Sequence, residues 1–191
     1  MYDDIKELVP VFDTKDMFIF LGNHKVGLTS IVRNALKDRA VSRKNSRKEY
    51  HLRLENTSED YFKNTFKFTI IRNPFDRTVS AFFYLKGLGI VGVKKSFKEF
   101  IKTDFKKHGV SINVHFHPMF MRAKYSDFVG RMENIEKDWR IIADKIECPI
   151  KRLPRKNRSK HMHYKKYYDK ECIKIVSDIY REDFKALSYK F

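Results

Sequence analysis

From Met17 the chain reads Met-Phe-Ile-Phe-Leu-Gly-Asn-His-Lys-Val-Gly-Leu-Thr-Ser-Ile, ending at Ile31: an apolar run closed by Gly22, then a lysine, a glycine and two hydroxyls. Between a buried strand and a helix N-terminus such residues make an anion site, because the first helical amides lack partners and the helix dipole is positive there. Gly27 lets the backbone approach an oxyanion, Thr29 and Ser30 can donate to its oxygens, and Lys25 can reach a bridging oxygen. On the residues alone, an ordinary strand-to-helix turn with an exposed lysine accounts for the segment equally well. It is not a Walker A loop, which sets its lysine directly before Ser or Thr and works with a magnesium-binding aspartate; here Lys25 precedes Val26-Gly27.

A second constellation, Phe66-Lys-Phe-Thr-Ile-Ile-Arg-Asn-Pro-Phe-Asp-Arg-Thr-Val-Ser-Ala-Phe82, puts Arg72 at a strand end and Ser80 on the first turns of the next helix. The two can converge on one phosphate. A salt-bridged Arg72 and a space-filling Ser80 are the plain alternative. Histidine suits proton transfer at neutral pH. His51 stands between the two constellations, and a solvated histidine in a basic loop is its bland reading. His115 and His117, in Val114-His-Phe-His-Pro118, are the reserve candidates for the base or for contact with a substrate. That pair has too few partners for a metal site, and no metal is expected.

Elements able to position these groups follow from apolar spacing. Met17 to Leu21 is apolar on both faces, as buried parallel strands are, and Phe66 to Ile71 reads as a second buried strand closed by Arg72-Asn73-Pro74. Ile31, Val32, Ala35 and Leu36 predict a helix after the first strand. Pro74 and Asp76 suit a helix start, with Val79, Phe82 and Phe83 as its apolar stripe. Ser96 and Glu99 have capping-box spacing ahead of Phe97, Phe100, Ile101 and Phe105. Tyr125 to Gly130 predicts a short strand, Ile135, Trp139, Ile142 and Ile146 a helix ending before Pro149, and Asp169 the start of a last helix carrying Cys172, Ile175, Val176, Ile179 and Phe184 inward. Strands alternating with amphipathic helices give an α/β class, a central parallel sheet flanked by helices. Two basic stretches, Lys37 to Arg53 and Lys151 to Lys166, read as exposed loops. No repeat or linker marks a second domain, so residues 1–191 are expected to form one.

Together the two constellations resemble the phosphosulfate loop and the 3′-phosphate motif of the sulfotransferases that use 3′-phosphoadenosine-5′-phosphosulfate (PAPS), particularly the carbohydrate sulfotransferase branch. Phe-Thr-Ile-Ile-Arg-Asn-Pro-Phe-Asp-Arg-Thr-Val-Ser-Ala is the more specific match. Asp127-Phe-Val-Gly-Arg-Met-Glu-Asn-Ile-Glu-Lys-Asp138, Leu153-Pro-Arg-Lys-Asn-Arg-Ser159, Tyr168-Asp169, Tyr180-Arg-Glu-Asp-Phe184 and Tyr189-Lys-Phe191 extend the likeness over most of the chain. The resemblance implies a P-loop-like nucleotide-binding fold. It also implies that the loop Lys25, Val26, Gly27, Leu28, Thr29 and Ser30 holds the 5′-phosphosulfate and Arg72 with Ser80 the 3′-phosphate. Lys156, Arg158 and Ser159 would touch the nucleotide or guide an anionic acceptor; a solvated charge run is as good a reading of them. The base it implies is His51, since related enzymes often carry a histidine ahead of the second strand. Where that family's loop has Pro before the lysine and a small residue after the glycine, this chain has His24 and Leu28.

The composition fits a sizeable core in 191 residues, with 17 Phe and 10 Tyr. Forty-one Lys and Arg against 24 Asp and Glu give a net charge of +17, a field that gathers anions but does not choose among a phosphorylated nucleotide, an acidic glycan, a nucleic acid or a membrane. The expected partner is a carbohydrate or other hydroxyl-bearing acceptor, not a nucleic acid. A kinase with an altered phosphate loop, and a basic module stacking nucleic-acid bases on Tyr and Phe, are the rivals; most of the aromatics fall at core spacings, against the second. No secretory signal or bilayer-length apolar run is present, and two cysteines make no disulfide framework. A cytoplasmic protein is the expectation for a full-length chain, and a luminal catalytic fragment of Golgi type would read the same.

Overall fold

Every residue from Lys67 to Ile71 is buried, and this run forms the strand around which the sheet is built. A computed structural model describes residues 10–42, 47–92, 94–153 and 161–191, with the side chains of Arg47 and His51 outside the description. Five strands, β1 (Val11–Asp13), β2 (Phe18–Phe20), β3 (Ala40–Val41), β4 (Phe66–Ile71) and β5 (Phe128–Arg131), make one sheet in the order β3-β1-β2-β4-β5. β4 pairs in parallel with β2 (Phe18↔Phe66, Phe20↔Phe68) and with β5 (Phe68↔Phe128, Ile71↔Arg131).

The expected parallel sheet is thus its centre, but β1 runs antiparallel to both β2 and β3. That hairpin edge is too short for apolar patterning to show. It is fixed by a non-local pair: Arg39 donates to Asp13 at 3.0 and 2.7 Å and to the Ile146 carbonyl at 2.6 Å, which satisfies the fully buried Asp13 carboxylate.

By its contacts the chain divides into two compact units. One comprises the described residues of Met1–Asn23, Gly27–Ile71 and Met121–Lys156 and contains the whole sheet; the other comprises those of His24–Val26, Arg72–Phe120 and Asn157–Phe191.

In the first unit β2 is followed by α1 (Leu28–Ser30), which widens into a π turn over Ile31–Ala35 in place of the regular helix predicted there. The adjacent β-branched residues Thr29, Ile31 and Val32 are poor α-helix formers. α2 (Arg47–Asn56) corrects the reading of Lys37 to Arg53 as loop. It has no apolar stripe, burying Tyr50, and α3 (Glu59–Asn64) follows with Ser58 capping the Tyr61 amide at 3.0 Å. α6 (Ile135–Lys145) ends before Pro149 as its spacing predicts, with Trp139, Ile142 and Ala143 buried.

The second unit is built on α4 (Pro74–Gly87), capped where Asn73 Oδ1 accepts from the Phe75 amide at 2.9 Å. Phe75, Val79, Phe82 and Leu85 pack with Phe100, Phe105, Phe116, Cys172, Val176 and Tyr180 in one aromatic-rich core. The Ser96–Glu99 capping box forms at the head of α5 (Phe97–Phe100). Asp169 caps the Cys172 amide at the start of α7 (Lys170–Ile179), and Phe184, expected on that helix, lies on the next one, α8 (Arg181–Leu187). Among the described residues no helix is long and apolar enough to cross a membrane.

Candidate functional site

Because β2 and β4 are parallel neighbours, the segments leaving them start from the same edge of the sheet. Buried Asn23 fastens those ends together: its Nδ2 donates to Thr69 Oγ1 and to the Ile70 carbonyl, each at 3.0 Å, while Thr69 Oγ1 donates to the Leu21 carbonyl at 2.5 Å. Gly22 is needed here for space, since a Cβ would stand 2.7 Å from Leu28 Cδ1.

His24, Lys25 and Val26 follow, and they group with the second unit. Val26 is fully buried. Lys25 holds a left-handed backbone with φ of 63°, uncommon for a residue with a Cβ and a conformation that costs about 1–2 kcal/mol. The surroundings fix it there: Arg72 Nη1 donates to the Lys25 carbonyl at 3.1 Å while Arg72 Nε is paired with Asp76 at 2.8 Å. Lys25 Nζ lies 4.0 Å from the centre of the Tyr84 ring. Burial, and then the like charge of Arg72, push the Lys25 ammonium down to about 8. Strain and like charges held together by a fold concentrate at sites that a ligand completes.

The His115 ring joins this group, with its centroid 5.1 Å from that of Tyr84 and 4.5 Å from that of His24. Its Nδ1 meets Asn113 Oδ1 at 2.7 Å. Burial first, then Lys25 and Arg77, push His115 down to about 4, so it is neutral at pH 7. Arg77, 1% exposed, donates to the carbonyls of His117 at 2.8 Å and His115 at 3.4 Å. Buried Asp183 accepts from the amides of Met119 and Phe120 at 2.8 Å. The two anchor the histidine loop from either side. His117 itself is exposed.

Of the residues singled out from sequence, Lys25, Arg72 and His115 come together in the second unit. Ser80 lies on α4 in that same unit, 2% exposed. In the first unit, Gly27 takes φ of 82° at the head of α1, Leu28 and Thr29 are half-buried and Ser30 is buried. His51 lies within α2 with its side chain outside the described residues, and Lys156, Arg158 and Ser159 lie outside them altogether. Tyr84, Asn113 and Arg77 were not foreseen. Tyr84 was detectable, because it follows Ser80 by four residues on one helix face.

A model of the sulfotransferase family matches residues 11–190. The chain belongs to the sulfotransferase family. An Archaeoglobus fulgidus protein, described only as uncharacterized, is 28% identical over 99 residues, covering 52% of this chain and 82% of its own. No solved structure matches the chain. Membership in this family supports a sulfotransferase activity and implies a hydroxyl-bearing acceptor. Among the described residues of this sulfotransferase, no group of three or more His, Cys, Asp and Glu is placed to hold a metal ion.

Proposed function

We propose that this sulfotransferase, in a P-loop-like manner, takes the sulfuryl group of PAPS and passes it in line to a hydroxyl, with a carbohydrate as the acceptor class. The observation that carries the reading is a pair of cations on the segments that follow two adjacent parallel strands in the chain: Lys25, half-buried and lowered to about 8, beside Arg72. Like charges pressed together destabilise an empty site and favour an anion in it. Lys25 stabilises the charge gathering on the departing 5′-phosphate, aided by backbone amides near Gly27 and the hydroxyls of Thr29 and Ser30. Arg72 and Ser80 hold the 3′-phosphate, and Arg72 is pre-oriented for it by Asp76. Lys156, Arg158 and Ser159 complete the nucleotide contacts.

An alcohol attacks only as its proton leaves, so a base is required. A histidine supplies it; the resemblance implies His51. The carbohydrate acceptor rests on the branch that the sequence resembles, and residues 1–191 serve as one catalytic domain in this reading. The test offers the protein two donors, ATP with magnesium and PAPS without metal. Transfer from PAPS alone supports the proposal, and transfer from ATP alone would show a kinase instead. Binding should be displaced by 3′-phosphoadenosine-5′-phosphate; salt-sensitive binding to oligonucleotides that this nucleotide leaves untouched would point to a nucleic-acid module.

A further inference from the structure

Asn113 Oδ1 accepts two hydrogen bonds from one residue, from the His115 backbone N–H at 3.1 Å and from its ring at Nδ1, 2.7 Å away. The backbone N–H can only donate, so the amide presents its oxygen, and the ring nitrogen that meets the same oxygen must carry a proton. His115 is therefore held as the Nδ1–H tautomer, with its lone pair on Nε2. A histidine oriented by an amide, half-buried and sharing the Tyr84 ring with the Lys25 ammonium, has the geometry of a poised proton acceptor.

We propose that His115 is the base that takes the acceptor's proton, and that Asn113 is a positioning residue that keeps Nε2 unprotonated for the task. The inference rests on the sulfotransferase reading and makes His115, rather than His51, the base. In the step, the acceptor O–H bond breaks and its proton passes to Nε2. The oxygen forms its bond to sulfur as the bond from sulfur to the 5′-phosphate oxygen breaks. The products are the sulfate ester, 3′-phosphoadenosine-5′-phosphate and a protonated His115, which returns its proton to water.

The charges around the ring fit this sequence of events. Burial first, and then the charges of Lys25 from the loop after β2 and of Arg77 from α4, keep His115 neutral in the free protein; His24 and Tyr84 are its ring neighbours. A nucleotide carrying several negative charges beside Lys25 reverses the sign of that local field. His115 thus becomes a stronger base when the donor is in place, and stays uncharged until then. The backbone that carries the ring is held from both sides, because Arg77 grips the carbonyls at 115 and 117 and Asp183 the amides at 119 and 120, while Asn113 holds the ring itself.

The test is long-range proton–nitrogen NMR on protein labelled at the imidazole nitrogens, titrated with and without 3′-phosphoadenosine-5′-phosphate. The proposal expects the Nδ1–H tautomer in the wild type, the tautomer common in water (Nε2–H) in Asn113→Ala, and a His115 titration that moves up by at least one pH unit when the nucleotide binds. An Nε2–H tautomer in the wild type, or a titration unmoved while other signals report bound nucleotide, overturns it. No nucleotide binding at all would instead sink the donor-site reading. In turnover against a glycan panel, His115→Gln should lose at least a hundredfold while its nucleotide affinity stays within threefold. Asn113→Asp, which still accepts from Nδ1, should recover most of the Asn113→Ala loss and shift the acid limb of the pH profile. A larger loss in His51→Gln than in His115→Gln assigns the base to His51 and refutes the proposal.

Discussion

If Lys25 meets an anion as its ammonium, then affinity for 3′-phosphoadenosine-5′-phosphate must fall through the pH at which that ammonium is lost. In the free protein burial and Arg72 set this near pH 8. The sign follows from linkage: the nucleotide binds the protonated form, so binding draws a proton onto Lys25 and weakens as pH rises. With a free-protein value of about 8, the competent fraction falls from about nine-tenths at pH 7 to about one-tenth at pH 9, and Kd should rise roughly tenfold. An unperturbed lysine, titrating near 10.4, would leave Kd almost flat over that range, and phosphate groups with a second ionisation near 6 contribute little above pH 7. Calorimetry at pH 7, 8 and 9 in buffers of different ionisation enthalpy measures both quantities, with uptake of about half a proton expected at pH 8. Lys25→Arg should flatten the curve, since guanidinium stays charged. A wild-type Kd constant from pH 7 to 9, with no proton uptake, would refute the placement of the anion at Lys25.

Three further outcomes are measurable by denaturation. Asp183→Ala removes the acceptor of the Met119 and Phe120 amides and leaves Arg77 buried 3.8 Å from a lost carboxylate, so stability should drop by about 3–5 kcal/mol in urea unfolding; a loss under about 1 kcal/mol contradicts its anchoring role. Asn23→Ala should cost about 1–3 kcal/mol by unfastening the ends of β2 and β4, and should weaken nucleotide binding as well. At Gly27 a Cβ would meet only Met132 Sδ at 3.7 Å, so Gly27→Ala should lose about 1–2 kcal/mol from its φ of 82° and no more; a much larger loss would mean that steric contact governs the position.

What local pattern could reveal was set by how local the physics is. β4 and α4 were legible because Phe66, Phe68, Ile70 and Ile71 make a strand-length apolar run and Asn73-Pro74 both stops the strand and starts the helix. The capping box at Ser96, the end of α6 and the start of α7 were legible for the same reason. β1 was not, because its Asp13 is buried against Arg39, 26 residues away, and no window reading connects them. α2 was missed because a helix with no apolar stripe looks like a polar loop. Around the candidate site, Lys25 and Arg72 stood out by type and spacing. The role of Tyr84 beneath Lys25, and the unequal fates of His115 and His117, depend on a turn at Asn113 and on buried Arg77, which only the folded chain brings together.

The central claim is that Lys25 serves the transfer of a sulfuryl group. Incubation with sulfur-labelled PAPS and a panel of glycans and small alcohols, comparing wild type with Lys25→Ala, addresses it most directly. The account predicts label on a hydroxyl acceptor with the wild type and at least about a hundredfold less with the variant, the scale of losing a group that stabilises developing charge. Equal transfer by the two proteins, or none by a folded wild type that also fails to bind the nucleotide, would contradict it.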